Sequence, residues 1–383
     1  MTAAGMAVPI PPAHEAFRAQ VREWLAAHLP PGGLPDPDTE EGFRAHQAWE
    51  RTLHDAGYAG ISWPREHGGA GGDLLHEAIF TEEYERARGP VRITRPSLRF
   101  LGPTLMRFGT PDQQRRWLPR MLRAEDVWSQ GFSEPEAGSD LAGVRTRATR
   151  SGDEYVVEGQ KTWTTYGRFA DWIFGLVRTG SAGDRHRGLT CLAIDLRSPG
   201  VEVRPVRQVH GRTGFAEVFF SGVRVPADQR IGGEGEGWTV AMTLLSFERG
   251  PDTGGPVRSE QRLAALASDV LADLPPDAVP GVRRELGEAA ARLYAYRAHT
   301  YRRLTAQWGG EPAGADSSLV KLFSSQLDVD LVTLGADLFG DARLGGGTPE
   351  HLDYWHSRAG RIYGGTAEVQ HNVVADRILG LPR

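Results

Sequence analysis

The pattern of apolar residues changes its period twice along the chain. From residue 12 to about 127, apolar side chains recur at helical spacing, as in Phe17, Val21 and Leu25, with glycine and proline between the runs. Helical spacing returns after Gly237, and one stripe of the last third consists of Leu319, Phe323, Leu327, Leu331, Leu334 and Leu338. Both ends of the chain are therefore predicted to be helical, the second as a bundle.

The middle of the chain has the short runs that are typical of β-strands. They lie at 155–157, 172–174, 189–196, 201–206 and 217–225, and Gly, Pro and Asp turns separate them. Helices, then strands, then helices predict an α+β, mostly helical fold rather than an alternating nucleotide-binding fold. The predicted limits are 1–127 for an N-terminal helical domain, 128–237 for a central β-domain and 238–383 for the C-terminal helical bundle.

Composition narrows the functional classes. The 383 residues include 44 Lys and Arg against 49 Asp and Glu, a formal net charge of −5, which gives no basic field to hold nucleic acid or an anionic membrane. No signal peptide, membrane span or metal site is predicted from the sequence. Because Cys191 is the only cysteine, no intrachain disulfide can form, and a reducing, cytoplasmic location is expected.

Two short segments suggest a flat, hydrogen-bonding cofactor. The first, Gly131 to Asp140 (GFSEPEAGSD), is a turn of small residues that lets a ligand approach the backbone closely. The second, Gly159 to Thr165 (GQKTWTT), sets the indole of Trp163 among threonine hydroxyls, which suits a ring with a polar edge. Each segment alone is ordinary, since a strand tryptophan is usually core and Gly-Ser-Asp usually only a turn. Together they favour a flavin site.

In order and spacing these segments resemble signatures of the acyl-CoA dehydrogenase family. The likeness runs from about Ala13 to the C-terminus and includes residues 211–226 (GRTGFAEVFFSGVRVP) and 362–383 (IYGGTAEVQHNVVADRILGLPR). The resemblance implies that the C-terminal bundle has four helices and that the cofactor is FAD. It also implies α,β-dehydrogenation of an acyl thioester, carried by CoA or by an acyl-carrier protein.

The resemblance further implies which residues meet the cofactor and the substrate. Trp163 would cover the flavin ring, and Thr165 would lie near its N5. Ser139 would face the thioester or its pantetheine arm, and Arg249 would orient the site. The cofactor contacts expected in the two segments are Gln130, Phe132, Ser133, Trp163 and Thr165.

The reaction needs a carboxylate base, and the usual one is missing. In much of the family a glutamate directly precedes Gly-Thr in the C-terminal motif, where this chain has Gly364. A minority, including the isovaleryl and long-chain enzymes, carries the base on an earlier helix in a Glu-Arg pair, which Glu248 and Arg249 resemble. On a predicted helix from Trp238 to Arg249, Glu248 lies on the same stripe as Leu245, at the edge of an apolar wall. Desolvation there makes a carboxylate a stronger base, so Glu248 is the candidate.

The C-terminal motif keeps three candidate roles. Gly364 would retain its backbone N–H as a donor to the thioester oxygen, and its missing side chain would leave room for a branched, cyclic or otherwise bulky acyl group. Thr366 would offer its hydroxyl to the FAD pyrophosphate while capping a helix. Glu368 stands where the family often has glutamine, and it is explained equally well as a first-turn glutamate favoured by the helix dipole.

Two cross-subunit FAD contacts of the family are absent. Residues 251–256 (PDTGGP) replace an Arg-x-x-Phe-Gly segment, and residues 337–341 (DLFGD) replace a Gln-x-Phe-Gly-Gly turn. Asp337 and Asp341 would repel a pyrophosphate. The adenine half of the FAD site is therefore expected to be rebuilt, or supplied by an unlike partner chain as in some bacterial members of the family.

Three functions stay open at this point. The leading one is the acyl-thioester dehydrogenase, which would pass electrons to an acceptor such as an electron-transfer flavoprotein and assemble as a homodimer, homotetramer or hetero-oligomer. The second is a flavin monooxygenase or N-hydroxylase on the same fold, which needs no base, so Glu248 argues against it. The third is a non-catalytic partner subunit, which Asp337 and Asp341 favour mildly.

Overall fold

The computed structural model describes residues 10–382 except 249, 251, 274, 276–278, 312–313, 341–343 and 347. The chain divides into two compact units. The sheet unit consists of Pro30–Gly72 and Pro90–Arg249, and the helical unit of Met1–Leu29, Asp73–Gly89 and Gly250–Arg383.

Helices and strands follow the order that the apolar periods predict. The helices are α1 Pro12–His28, α2 Glu40–Asp55, α3 Leu74–Arg86, α4 Gly102–Phe108, α5 Pro111–Leu122, α6 Gly237–Glu248, α7 Gly254–Asp273, α8 Val279–Trp308, α9 Asp316–Phe339, α10 Pro349–Gly360 and α11 Ala367–Arg377. The strands are β1 Trp128–Gly131, β2 Arg147–Ser151, β3 Glu154–Thr165, β4 Trp172–Arg178, β5 Leu189–Asp195, β6 Val201–Val206, β7 Phe215–Pro226 and β8 Arg230–Ile231.

One mixed sheet organises the sheet unit. The strand order is β6-β7-β3-β2-β4-β5-β8, and β1 pairs with β4 in parallel, Trp128 opposite Trp172. The pairing of β3 with β7 is antiparallel and shifts register between Val157 and Gly159 and again between Lys161 and Thr164. Such bulges re-aim side chains next to functional sites.

The core of the sheet unit joins the sheet to helices α4, α5 and α6. Trp128 and Trp172 stack with their ring centroids 5.3 Å apart, and Trp117 of α5 meets Trp128 edge-on. Helix α6 adds the fully buried Val240 and Leu244 to this cluster. Burial of this size holds α6 firmly against β4 and β5.

In the helical unit, helices α7, α8 and α9 pack around apolar side chains, some of which belong to the predicted stripe. Leu327 and Leu331 of α9 are buried against Leu293 and Tyr296 of α8, and α10 and α11 pack on α9. Leu319, the first residue of the predicted stripe, is 37% exposed. The expected C-terminal helical bundle is thus confirmed, although only Leu327 and Leu331 of its predicted stripe are fully buried.

The predicted helices and strands are present in the structure, but three short strands were not predicted. Strand β6 has its predicted limits, and helix α6 begins one residue before the predicted start at Trp238. Strands β1, β2 and β8 were not predicted. The four residues of β1 and the two of β8 are too few to show an alternation, and β2 consists mainly of charged and polar residues. No described helix is both long enough and apolar enough to span a membrane.

Candidate active site

The sheet unit brings the two flavin-like segments side by side. The backbone N–H of Thr162 donates to the Ser133 carbonyl at 2.9 Å, and the Ser129 hydroxyl donates to the Thr165 carbonyl at 2.7 Å. The five predicted cofactor contacts of this region therefore lie on neighbouring segments: Gln130, Phe132 and Ser133 at the end of β1, and Trp163 and Thr165 at the end of β3.

Trp163 has a backbone and an exposure that core packing does not explain. Its φ is +59°, a left-handed conformation that costs a bulky residue free energy, and it lies within the second register shift of β3. Its side chain is 56% exposed, whereas Thr164 next to it is fully buried. The bulge presents a flat apolar ring on the surface of the sheet unit, which fits the role of covering a flavin.

The turn after β1 leaves backbone accessible to a ligand. Glu134 and Ala137 exchange backbone hydrogen bonds at 3.0 and 3.1 Å, which closes a tight loop around Pro135. Gly138 has open space where a Cβ would lie, and Ser139 beside it is exposed. The turn therefore offers the small, approachable surface that the sequence predicts.

Gly159 shows why the second segment begins with glycine. Its φ is +140°, and a Cβ there would come within 2.7 Å of the Cα of Thr146, the residue just before β2. A side chain at this position would push β2 away from β3 just before the residues expected to meet the cofactor.

Two buried charged residues in these segments were given no role by the sequence reasoning. Lys161 is fully buried, and its Nζ donates to the Glu134 carboxylate at 2.7 Å and to the Phe132 carbonyl at 3.1 Å. The signal was available, because Lys161 has the same parity on β3 as the buried Tyr155 and Val157. A lysine at an inward position needs a buried anion nearby.

Glu248 is the last residue of α6 and is half-buried. Val240, Ala241 and Leu244 of the same helix are buried, and Leu245 is partly buried against the core cluster. Glu248 thus belongs to an apolar helix, as predicted, and has an electrostatic or hydrogen-bonding partner. Arg249, the predicted substrate-orienting residue, lies outside the described residues.

In the helical unit, the C-terminal motif forms an exposed glycine turn before a capped helix. Gly364 and Gly365 have φ values of +64° and +95°, and Gly364 is exposed. The Thr366 hydroxyl oxygen accepts the Val369 N–H at 3.2 Å and caps α11, as predicted. The pKa of Glu368 lies below its ordinary value, because its carboxylate accepts from its own N–H and from the Thr366 hydroxyl.

The segment that replaces Arg-x-x-Phe-Gly is used within the helical unit. The Thr253 hydroxyl donates to the Ala78 carbonyl at 2.7 Å. Arg258 donates to Asp252 at 2.9 Å and also pairs with Glu85. These contacts attach the start of α7 to α3.

The two acidic residues of the other altered turn can be located only in part. Asp337 is exposed on α9, and Asp341 lies outside the described residues.

Three family models match the chain in sequence order. They are the acyl-CoA dehydrogenase N-terminal domain over residues 11–125, the middle domain over 129–223 and the C-terminal domain over 235–379. The chain belongs to the acyl-CoA dehydrogenase family. Its enzyme class is that of the FAD-dependent acyl-CoA dehydrogenases, which agrees with the expectation from the motifs.

Relatives of this acyl-CoA dehydrogenase match it along nearly all of its length. Acyl-CoA dehydrogenase IpdE1 of Mycobacterium tuberculosis is 41% identical, covering 96% of this chain and 98% of the relative. A solved structure named Tcur3481-Tcur3483 steroid ACAD has a TM-score of 0.86 at 28% identity, covering 99% and 100%. The ChsE4-ChsE5 complex from M. tuberculosis has a TM-score of 0.82 at 28% identity, also covering 99% and 100%.

Proposed function

We propose that this protein removes hydrogen from the α and β carbons of an acyl thioester with a bulky acyl group, using Glu248 as the base. FAD, when bound, supplies the hydride acceptor. The observation that carries the proposal is the half-buried carboxylate of Glu248 at the end of an apolar helix in a chain whose C-terminal motif has Gly364 at the usual base position.

The position of Glu248 on α6 favours proton capture. The buried Val240 and Leu244 fix the helix, so the carboxylate is held by a rigid element. General-base catalysis needs such a positioned carboxylate within reach of the α-proton of the thioester.

Gly364 supports the substrate part of the proposal in two ways. As a glycine with φ of +64° it adopts its turn at no steric cost, and its backbone N–H remains a donor for the thioester oxygen. The absence of a side chain leaves space beside the substrate. A polycyclic acyl group, of the kind implied by the name of the steroid enzyme that this fold resembles, would use that space.

For the cofactor, the proposal assigns the ring to the exposed side of the sheet unit. Trp163 would cover the isoalloxazine, and the backbone and hydroxyls of Phe132, Ser133 and Thr165 would meet its edge. Gln130 would support that edge, and Ser139 would face the thioester arm. Arg249 is proposed to orient the site on the resemblance alone.

A second candidate is a subunit that lacks a complete FAD site and works with an unlike partner. The carboxylate of Glu368, two residues after Thr366, favours it, because a negative charge there would repel the pyrophosphate. The attachment of Thr253 to α3 also favours it, because this segment replaces one that reaches FAD in much of the family. We propose that such a partner, where present, supplies the missing pyrophosphate and adenine contacts.

A panel of acyl-CoAs added anaerobically to the purified protein separates the candidates. The dehydrogenase proposal expects a yellow protein whose flavin absorbance at about 450 nm is bleached most by branched or polycyclic acyl-CoAs. A protein that is colourless alone, and yellow after coexpression with a related subunit, supports the second candidate. Flavin that stays oxidised with every acyl-CoA, yet turns over with a reductase and oxygen, contradicts dehydrogenation and favours a monooxygenase.

A further inference from the structure

The buried pair of Lys161 and Glu134 is more extensive than an isolated ion pair. Glu134 accepts the backbone N–H groups of Arg145 at 2.6 Å and Thr146 at 2.9 Å, besides the Lys161 ammonium at 2.7 Å. Lys161 also donates to the Phe132 carbonyl at 3.1 Å. Both charges therefore have several partners within the core of the sheet unit.

Stability alone is a poor explanation for these charges. Withdrawing an ammonium and a carboxylate from water costs free energy that their attraction only offsets, so apolar residues of similar size are often as stable. Burial lowers the pKa of Lys161, although Glu134 opposes this. Burial also opposes ionisation of Glu134, but Lys161 and the backbone donors outweigh it and hold the pKa of Glu134 below its ordinary value. The 2.7 Å contact of the Lys161 Nζ with the Glu134 carboxylate and the two backbone donors to that carboxylate are the short contacts of a charge-assisted network.

The pair links the backbone of the two flavin-like segments where each needs support. Lys161 lies two residues before Trp163, at the edge of the register shift that gives Trp163 its left-handed backbone. Phe132 and Glu134 flank Ser133 in the turn after β1. Ser133 lies between Phe132 and Glu134, the two partners of Lys161, and its carbonyl accepts the Thr162 N–H. The ion pair and this bond therefore hold residues 132–134 against residues 161–162.

We propose that Lys161 and Glu134 are positioning residues, which hold Trp163 and the 132–133 backbone at the spacing that the isoalloxazine requires. The inference rests on the proposed flavin contacts of the preceding subsection. Neither side chain meets the cofactor. Their effect is to fix the distance between the ring-covering indole and the ring-edge donors, since small misplacements in a binding constellation are costly.

The test replaces the pair by neutral side chains of similar size, Lys161→Met together with Glu134→Gln. The matched control is Arg92→Met with Glu50→Gln, because the half-buried Arg92 and the buried Glu50 form another ion pair of the sheet unit at 2.8 Å. Three quantities are measured for each purified protein: the melting temperature of the flavin-free form, the FAD dissociation constant and the visible circular dichroism of bound flavin.

The Lys161 and Glu134 double variant is expected to fold, to bind FAD at least about tenfold more weakly and to show altered visible circular dichroism. The control is expected to keep the wild-type dissociation constant and spectrum. Wild-type values for both quantities in the double variant would overturn the proposal. So would equal changes in both pairs, because these indicate a general loss of packing.

A gentler variant covers the case in which the double variant does not fold. Glu134→Asp keeps the charge but shortens the side chain by one methylene, which pulls the turn after β1 toward Lys161. It is expected to weaken FAD binding and shift the flavin spectrum, while Glu50→Asp leaves both unchanged. An unaltered flavin in Glu134→Asp refutes the inference.

These outcomes are distinct from failure of the proposed reaction. A wild-type protein that binds FAD but is not bleached by any acyl-CoA contradicts the reaction, and the dissociation constants and spectra still decide the role of the pair. A wild-type protein that binds no FAD under any condition, with or without a related subunit, contradicts both.

Discussion

The segments expected at the flavin ring and the segment expected at the thioester and pyrophosphate are built in different ways. The first, at the ends of β1 and β3, is tied by the buried Lys161 and Glu134 and displays a single strained, exposed Trp163. The second, residues 364–368, is an exposed glycine turn that leads into a helix capped by Thr366.

This difference separates two ways of making a binding surface. In the sheet unit, the core fixes the backbone, and the free energy of folding is available to hold an unfavourable conformation at Trp163. In the C-terminal turn, glycines adopt their positive φ without strain, and the turn depends little on a core. Changes to the buried residues of the first region should therefore alter both folding and cofactor binding, whereas changes in the second should alter binding with little effect on folding.

The largest expected contrast is in stability. Phe174 of β4 is fully buried in the core of the sheet unit, whereas Ile362 before the C-terminal turn is 65% exposed. Phe174→Ala is expected to lower the free energy of unfolding by about 3–5 kcal/mol, through lost burial and the cavity left behind. Ile362→Ala is expected to change it by less than about 0.5 kcal/mol. Urea denaturation followed by circular dichroism measures both, and similar losses would contradict the contrast.

A smaller effect is expected on cofactor affinity at the ring-side segment. Trp163→Ala should raise the FAD dissociation constant about tenfold, because aromatic stacking adds about 0.5–1.5 kcal/mol beyond the area it buries. The folded protein should keep its stability, since the indole is 56% exposed. Trp163→Phe retains a ring and should restore most of the affinity. Fluorescence titration of flavin-free protein gives the constants, and an unchanged constant in Trp163→Ala would remove Trp163 from the flavin site.

A charge change at the C-terminal turn should act in the opposite direction. If the pyrophosphate of FAD meets this turn, Glu368→Gln removes a like charge and should tighten FAD binding by up to about fivefold, since two unit charges 4 Å apart interact by about 1 kcal/mol in water. Raising the salt concentration should shrink the gain. An affinity that is indifferent to Glu368→Gln would indicate that the adenine half of FAD is bound elsewhere or by a partner.

The smallest contrast is in the acid dependence of stability. The pKa of Glu134 is held below its ordinary value, so its ionised form stabilises the protein above about pH 4.5, and this contribution is lost as the pH falls through the depressed value. Replacing the pair by Lys161→Met and Glu134→Gln should therefore flatten the decline in melting temperature between pH 5 and pH 3. Glu368→Gln should leave that decline as in wild type, because Glu368 is fully exposed. Identical pH profiles for all three proteins would contradict a special role for Glu134.

Long apolar periods allowed the fold class to be predicted, and local motifs allowed most of the candidate contacts to be named. Strand β6 at Val201–Val206 and helix α6 lie where the alternation and the apolar run of the sequence predict them. The domain limits 1–127, 128–237 and 238–383 stay a prediction. The assembly of compact units from segments far apart in the chain did not follow, since α1 and α3 lie in one unit and α2 in the other.

Two features of the candidate site depend on contacts that one strand cannot reveal. The left-handed backbone of Trp163 arises from a register shift against β7, and no residue of GQKTWTT identifies it. The partner of Lys161 is 27 residues away, and only the sheet brings the two together. Side-chain parity is enough to predict that Lys161 is buried, a prediction that was not made, whereas its partner follows only from the topology.

Rapid anaerobic mixing of Glu248→Gln with an acyl-CoA that bleaches the wild-type flavin is the most direct test of the base assignment. The account predicts that this variant binds FAD as wild type does, while its bleaching slows by about 10²–10⁴-fold, the usual contribution of a general base. Glu236→Gln, at the other end of the same helix, should bleach at the wild-type rate. Bleaching of Glu248→Gln at the wild-type rate would contradict the account.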